Sequence, residues 1–422
     1  MSLRIFRGGA APQAKAYTWT VGGTIEVGDL FRFTIGSRRL TIAAASAVAA
    51  TVASAIVTAI NSIDSSLYPE FAEVIASANS AVLTISARTA GEDFVITADT
   101  VESDGTTAAD AQTLTAGSTT ASKGPRHWDD ANNWSSNTLP VDSDDILIEN
   151  YAGDILYGLD QTAIDATSLT IRSTFTGRLG LPPQNENGYV EYRQQYLKIK
   201  PTTLTVEANS SRIMIDTLDV QNTIIVRMPA QQLAVGQGQG GLPSFLWLGT
   251  GTGTGPTMEL ISGSVGIAML AGEAAKLTKL DMGGDGNSSV MGGGSLDLTE
   301  FKQIGGVALF RKAPVAITKY GGTLTVEGGD TDEFYNYGGR TDWLSNGDCD
   351  IYEGTQGAEI WFVKDLRARN FGSTSNPIQL HRGTKFKDTF GTVVLPEGFQ
   401  PVDCKLSDVE VDLGNNRVMT VA

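Results

Sequence analysis

Four segments decide how this chain is read: MELIS at 258–262, TKLDM at 278–282, SLDLT at 295–299 and VAITK at 315–319. They set Leu260, Leu280, Leu298 and Ile317 in matching contexts, separated by 20, 18 and 19 residues. Within each segment apolar and polar residues alternate, the two-residue period of a strand with one buried face. A repeat near 20 residues matches one coil of a parallel β-helix. Glycine pairs fall between the strands, among them Gly283-Gly284, Gly305-Gly306, Gly321-Gly322 and Gly338-Gly339. Glycine supplies the positive φ that a chain needs where it turns from one face to the next.

Working outward, the same alternation occurs at Leu169–Ile171, Leu197–Ile199, Leu204–Val206, Ile213–Ile215, Leu218–Val220 and Ile224–Val226. Residues 151–422 are therefore expected to form a β-solenoid, a right-handed parallel β-helix. Coils of roughly 20 residues stacked at ~4.8 Å would give a rod about 60 Å long. A β-sandwich, which also uses evenly spaced strands and glycine turns, is the competing architecture.

Residues 16–117 read differently. Ile25, Val27, Phe31, Phe33 and Ile35 alternate on either side of Gly28-Asp29, which predicts a hairpin. Ile42–Ile60 has no charged residue, and Val48, Val52, Ile56 and Ile60 recur every four positions. That spacing predicts an amphipathic helix with Ser46 as its N-cap. A membrane span is the other reading of so long an uncharged stretch, but its Ala, Ser and Thr content argues against one. Short alternating runs at Val74–Ser77, Ala81–Ala87 and Asp93–Ala98 complete a small α+β domain, preceded by an arm at 1–15.

Between them, SKGPRHWDDANNWSSNTLPVDSDDILIEN at 122–150 forms a junction, taken as 118–150. Trp128 and Trp134 can bury the first open edge of a solenoid, and Pro140 can stop pairing from continuing outward.

Composition narrows function. A formal net charge of −16 and the lack of a visible basic patch speak against nucleic-acid binding. Cys349 and Cys404 are too few for a disulfide framework and read as small buried apolar residues. His127 and His381 are the only histidines, and neither sits in a zinc or triad motif. The opening MSLRIFRGGAAPQ lacks the apolar core of an export signal. The glycine run Gly236–Gly241 is followed by Pro243 and a strand pattern rather than by a helix, so it does not read as a phosphate loop. No catalytic residue, cofactor or metal site is expected.

Two groups of residues remain as candidates. Carboxylates cluster at Asp348, Asp350 and Glu353, at Asp330, Asp332 and Glu333, and at Asp281 and Asp285. Paired carboxylates can cleave a sugar polymer or hold calcium, but solvated turns need them equally. Aromatic residues Tyr335, Tyr337, Trp343, Tyr352 and Trp361 are dense enough to suggest a glycan strip or a subunit contact. Packing in a widened core is the plainer alternative.

The succession Val27–Gly36, a helix ending at Asn61, and Leu83–Gly91 resembles a module found in structural proteins of tailed bacteriophages. The Trp128, Asn133-Trp134, Pro140 and Asp144-Asp145 pattern is similar to one that opens β-solenoid repeats in bacterial adhesins and some phage proteins. The resemblance implies a non-enzymatic virion protein, either a capsid decoration protein or a tail fibre or tailspike that binds or degrades polysaccharide; the acidic surface, the short length and the lack of a recognisable receptor-binding tip favour decoration. It also implies a homotrimer whose partners are the major capsid or tail protein, with no membrane or nucleic-acid partner.

Overall fold

The computed structural model describes residues 2–103, 111–218, 222–229, 242–250, 253–283, 288–355, 357–365, 369–394 and 399–414. The chain is mainly β, with one α-helix among the described residues.

The dominant feature is a parallel ladder that starts at the N terminus. Leu3–Phe6 pairs with Asp145–Ile148, which pairs with Ser168–Ile171, and those residues pair with Thr203–Val206. Thr223–Val226, Thr257–Leu260 and Lys279–Met282 follow, then Glu300–Gln303, Ala316–Lys319 and Glu333–Asn336. The pleat puts one residue of each strand in an inward column: Phe6, Ile148, Ile171, Val206, Val226, Leu260, Met282, Gln303, Lys319 and Asn336, all buried. A second parallel ladder runs beside it through Ile213–Asp216, Phe245–Leu248, Val265–Ile267 and Val290–Gly292, then through Ala308–Phe310, Leu324–Val326 and Thr341–Trp343. Its inward column is Ile215, Trp247, Ile267, Gly292, Phe310, Val326 and Trp343. Size is complementary along it, because a methyl group on Gly292 would stand 2.5 Å from the Phe310 ring. One continuous apolar core joins the two ladders.

The strands that carry the repeat pair in parallel, but not in the register the repeat suggests. Leu280 and Ile317 do share a column, but Phe301 stands between them. Leu260 belongs to the neighbouring inward column, and Leu298 pairs with Leu277 in a third. Both Leu296 and Leu298 fit the alternation, and a two-residue period alone cannot say which strand end continues the ladder. Leu218 is not a strand residue: its φ is +57°, and Asp216 Oδ1 accepts its N–H at 2.9 Å.

The N-terminal module contains two antiparallel sheets. Val74–Asn79, Val82–Ala87, Ala16–Gly23 and Gln112–Thr120 form one, in that order; Arg38–Ala43, Leu30–Ile35 and Ile96–Val101 form the other. The expected hairpin across Gly28-Asp29 does not form, since the strands on its two sides belong to different sheets. Buried Asp29 instead closes a turn, accepting the N–H of Glu26 at 2.7 Å and that of Ser103 at 3.2 Å. The helix spans Ala49–Asn61 and buries Val52, Ala53, Ile56 and Ile60. Its N-cap is Val48, not Ser46, and Val48 is exposed. Ser46 acts one step earlier, where its hydroxyl accepts the Val48 N–H at 3.1 Å. At the other end the Asn61 amide exchanges two 2.9 Å hydrogen bonds with the Ala76 backbone, covering an edge of the sheet. No helix among the described residues is long and apolar enough to cross a membrane.

Module and body are joined through a buried ion cluster. Arg193 grips Glu191 with two hydrogen bonds of 2.8 and 2.9 Å, reaches Glu73 of the module at 3.3 Å, and donates to the Asp93 carbonyl at 2.6 Å. Tyr189 also donates to Glu73. Burial opposes the Arg193 charge, but the bond to Glu191 and the field of Glu73 outweigh it and raise its pKa.

Candidate functional site: an uncharged sheet and an aromatic ridge

None of the four strands of the larger module sheet contains Asp, Glu, Lys or Arg. Trp19, Val21, Val74, Leu83 and Ile85 point into the module core. By alternation Thr18, Thr20, Ile75, Ser77, Val82, Thr84 and Thr115 form the opposite face. Ile75 and Val82 are exposed there. Gln112–Thr120 is the edge strand and is almost wholly exposed. On a chain of net charge −16, a neutral sheet face is a surface that can approach another protein without desolvating ions.

On the body, three successive turns after the first ladder place Ile304, Tyr320 and Tyr337 at equivalent corners. Their N–H groups donate to the carbonyls of Met282, Gln303 and Lys319. All three are exposed, and the tyrosine rings stack at 5.0 Å. Beside Ile304 lies a cleft of about 470 Å³ lined by Glu259, Asp281, Lys302 and the edge of Met282.

The structure divides the predicted aromatic group. Trp343 and Tyr352 are fully buried in the core and cannot contact a glycan or a subunit, which corrects the reading of these two residues. They face inward because they occupy ladder columns with Val326 and Phe334. Tyr335 is half-buried on the outer side of its strand, and Tyr337 belongs to the ridge. Trp361 has Arg340 at 4.0 Å and Lys387 at 4.6 Å over its ring, one from each neighbouring strand. Those cations occupy the ring that a sugar would need. Tyr320 was missed because it lies just after a strand, outside the dense aromatic cluster.

At the junction, Trp128, Trp134 and Pro140 are all buried. The two indoles meet edge to face at 4.9 Å, and Phe6 packs against Trp134 at 5.2 Å. The backbone around Trp134 bonds to the outer edge of Leu3–Phe6, through Arg7 N–H to the Asn133 carbonyl and Ser135 N–H to the Ile5 carbonyl. Within the arm expected at 1–15, the strand Leu3–Phe6 opens the ladder.

The carboxylates act mainly on turns. Asp330 accepts the Asp348 N–H at 2.9 Å, and Asp348 accepts the Asn370 N–H at 2.7 Å, a chain of caps across neighbouring turns. Glu353 lies 3.0 Å from His381, whose other ring nitrogen is 3.1 Å from Asp403. Hydrogen bonding from His381 lowers the Asp403 pKa. Asp281 pairs with Lys279 at 3.0 Å. Asp285 and Gly236–Gly241 lie outside the described residues. Cys349 is buried as expected, but Cys404 is only half-buried. His127 is buried and contacts the Gly91 carbonyl at 3.1 Å, linking junction to module. No family model matches the chain, and neither a curated protein nor a solved structure matches it.

Proposed function

We propose that this chain is a non-enzymatic structural protein of a tailed-bacteriophage virion. In this reading it is a capsid decoration protein that docks through its N-terminal module and exposes a right-handed parallel β-solenoid. The two ladders are faces of that solenoid, and their continuous pairing satisfies backbone groups along the rod without help from a partner. The observation that carries the reading is the charge-free face of the four-stranded module sheet, on a chain that is otherwise strongly acidic. The resemblance of Val27–Gly36 and Leu83–Gly91 to phage structural modules points the same way. The docking partner is the major capsid protein, and the assembly is a homotrimer.

The test places a charge on that face. Virions assembled with Val82→Glu should lose the protein, while Glu259→Gln on the body should leave incorporation unchanged. Wild-type incorporation of Val82→Glu would remove the docking assignment.

A second reading is a tail fibre or tailspike-like protein that binds or cleaves polysaccharide, favoured by the exposed Ile304–Tyr320–Tyr337 ridge beside its cleft. Tyr320→Ala would then abolish retention on host surface polysaccharide. Unaltered retention would sink that reading.

A further inference from the structure

A second cleft, of about 440 Å³, opens where the module meets the body, and five arginines line it: Arg88 from the module, Arg126 from the junction, and Arg178, Arg193 and Arg212 from the body. The lining also holds three carboxylates, Glu73, Glu92 and Glu186, and the Tyr157 ring. Glu73 is engaged by Arg193, which is further held by Glu191.

The imbalance arises from how the strands stack. Ile155, Leu179 and Ile213 are parallel bridge partners, so the residues before them, Asp154, Arg178 and Arg212, follow one another up the same side. Asp154 is consumed by Arg178, which donates to it through Nε at 3.1 Å and Nη2 at 2.5 Å. Arg212 is left with a hydrogen bond from Nε to the Gly180 carbonyl at 3.1 Å. Arg88 donates to the carbonyls of Ala72 and Val74. Among the described residues, neither these two nor Arg126 has a carboxylate within ion-pair distance. Burial, reinforced by the charge of Arg178 and only partly offset by that of Asp154, pushes the Arg212 pKa down to about 10. A half-buried guanidinium that lines a cleft beside another cation is a place where negative charge is favoured.

We propose that this cleft binds an oxyanion of the phosphate or sulfate class, held between Arg88 on the module, Arg126 on the junction, and Arg178 and Arg212 on the body. The ligand bridges the two parts and stiffens their joint. Planar guanidinium groups match the tetrahedral oxyanion by paired N–H donors, and a partly enclosed site keeps those bonds from being screened away. The oxyanion is either a free ion or the phosphoryl group of a saccharide.

The test is a titration of the full chain with inorganic phosphate at constant ionic strength, read by calorimetry and by thermal unfolding, with chloride as the matched control. A saturable rise in Tm is expected. Arg212→Gln should weaken phosphate about tenfold or more. Arg126→Gln, at an exposed position that leaves the fold intact, should weaken it as well, and Arg311→Gln on the far body should not. Tighter binding of glucose 1-phosphate than of phosphate assigns the site to a phosphorylated saccharide, and equal binding assigns it to the free ion; both support the site. A phosphate response no larger than that to chloride, or unchanged affinity in both Arg126→Gln and Arg212→Gln, overturns it.

Discussion

Lys319 lies directly opposite Asn336 across two adjacent parallel strands, and neither side chain reaches solvent. On the other side Lys319 faces Gln303, so the inward column that is apolar from Phe6 to Met282 becomes polar for three strands. Each polar side chain serves a carbonyl of the next turn: Gln303 donates to Thr323, Lys319 to Gly338 at 2.5 Å, and Asn336 to Glu359. The polar residues thus hold the corner between the two ladders, where strand pairing leaves inward carbonyls unserved. The fit is incomplete, since Gln303 Oε1 and Asn336 Oδ1 have no partner among the described residues.

A pH dependence follows from Lys319. Burial lowers its pKa from 10.5 to about 7. Between those values the unfolded chain holds a proton that the folded chain lacks, so the contribution is full above 10.5 and has been lost once the pH has fallen through about 7. The slope for one proton is ~1.4 kcal/mol per pH unit. Denaturant unfolding of Lys319→Met at pH 7 and pH 10 should show a flatter pH dependence than wild type. Parallel pH profiles would mean that the amine stays charged in the folded chain.

The module joint should behave as a buried ion cluster. Arg193→Met leaves Glu191 buried without its cation and should cost about 3–5 kcal/mol. The double variant Arg193→Met with Glu191→Leu should recover much of that loss in chemical denaturation. Equal losses in the single and double variants would assign the energy to packing instead.

Two adjacent glycines should respond oppositely to alanine. A methyl group on Gly293 would meet the Ala268 carbonyl oxygen at 1.7 Å, whereas one on Gly294 meets nothing within 4 Å. Gly293→Ala should therefore lower Tm sharply or prevent folding. Gly294→Ala should be neutral or stabilise by about 0.4–1 kcal/mol through the unfolded chain. Similar Tm values for the two variants would contradict the backbone approach at Gly293.

Asn133 is the polar centre of the junction. Fully buried, it accepts the Ala10 N–H at 2.8 Å and donates to the carbonyls of Gly124 and His127 at 2.8 and 2.6 Å. Asn133→Ala strands those groups and should cost roughly 1–3 kcal/mol or more. Amide hydrogen exchange should rise first at Ala10. Exchange that rises uniformly would point to global destabilisation instead.

How far the sequence could be read depended on what each signal measures. Alternation located the strands at Leu204–Val206, Ile213–Ile215 and Ile224–Val226 because burial on one face selects apolar residues at every second position. It could not fix register, so Leu298 was placed beside Leu280 when Phe301 occupies that place. The edge strand Gln112–Thr120 escaped notice because, exposed on nearly all positions, it carries almost no hydrophobic pattern. Trp343 and Tyr352 could not be assigned to core or surface because composition does not show which side of a strand a ring occupies. The arginine cleft was invisible for another reason: Arg88, Arg126, Arg178 and Arg212 are scattered over 125 positions and converge only when module and body pack.

The proposed docking of the module on a phage particle, with an exposed rod, is tested most directly by electron cryomicroscopy of virions assembled in the presence of this chain. Its density is expected on every capsomer, with the four-stranded module sheet against the shell and the ladder of Thr257–Asn336 pointing away. Density confined to the tail, or a module that faces solvent while the ladders contact the shell, would contradict it.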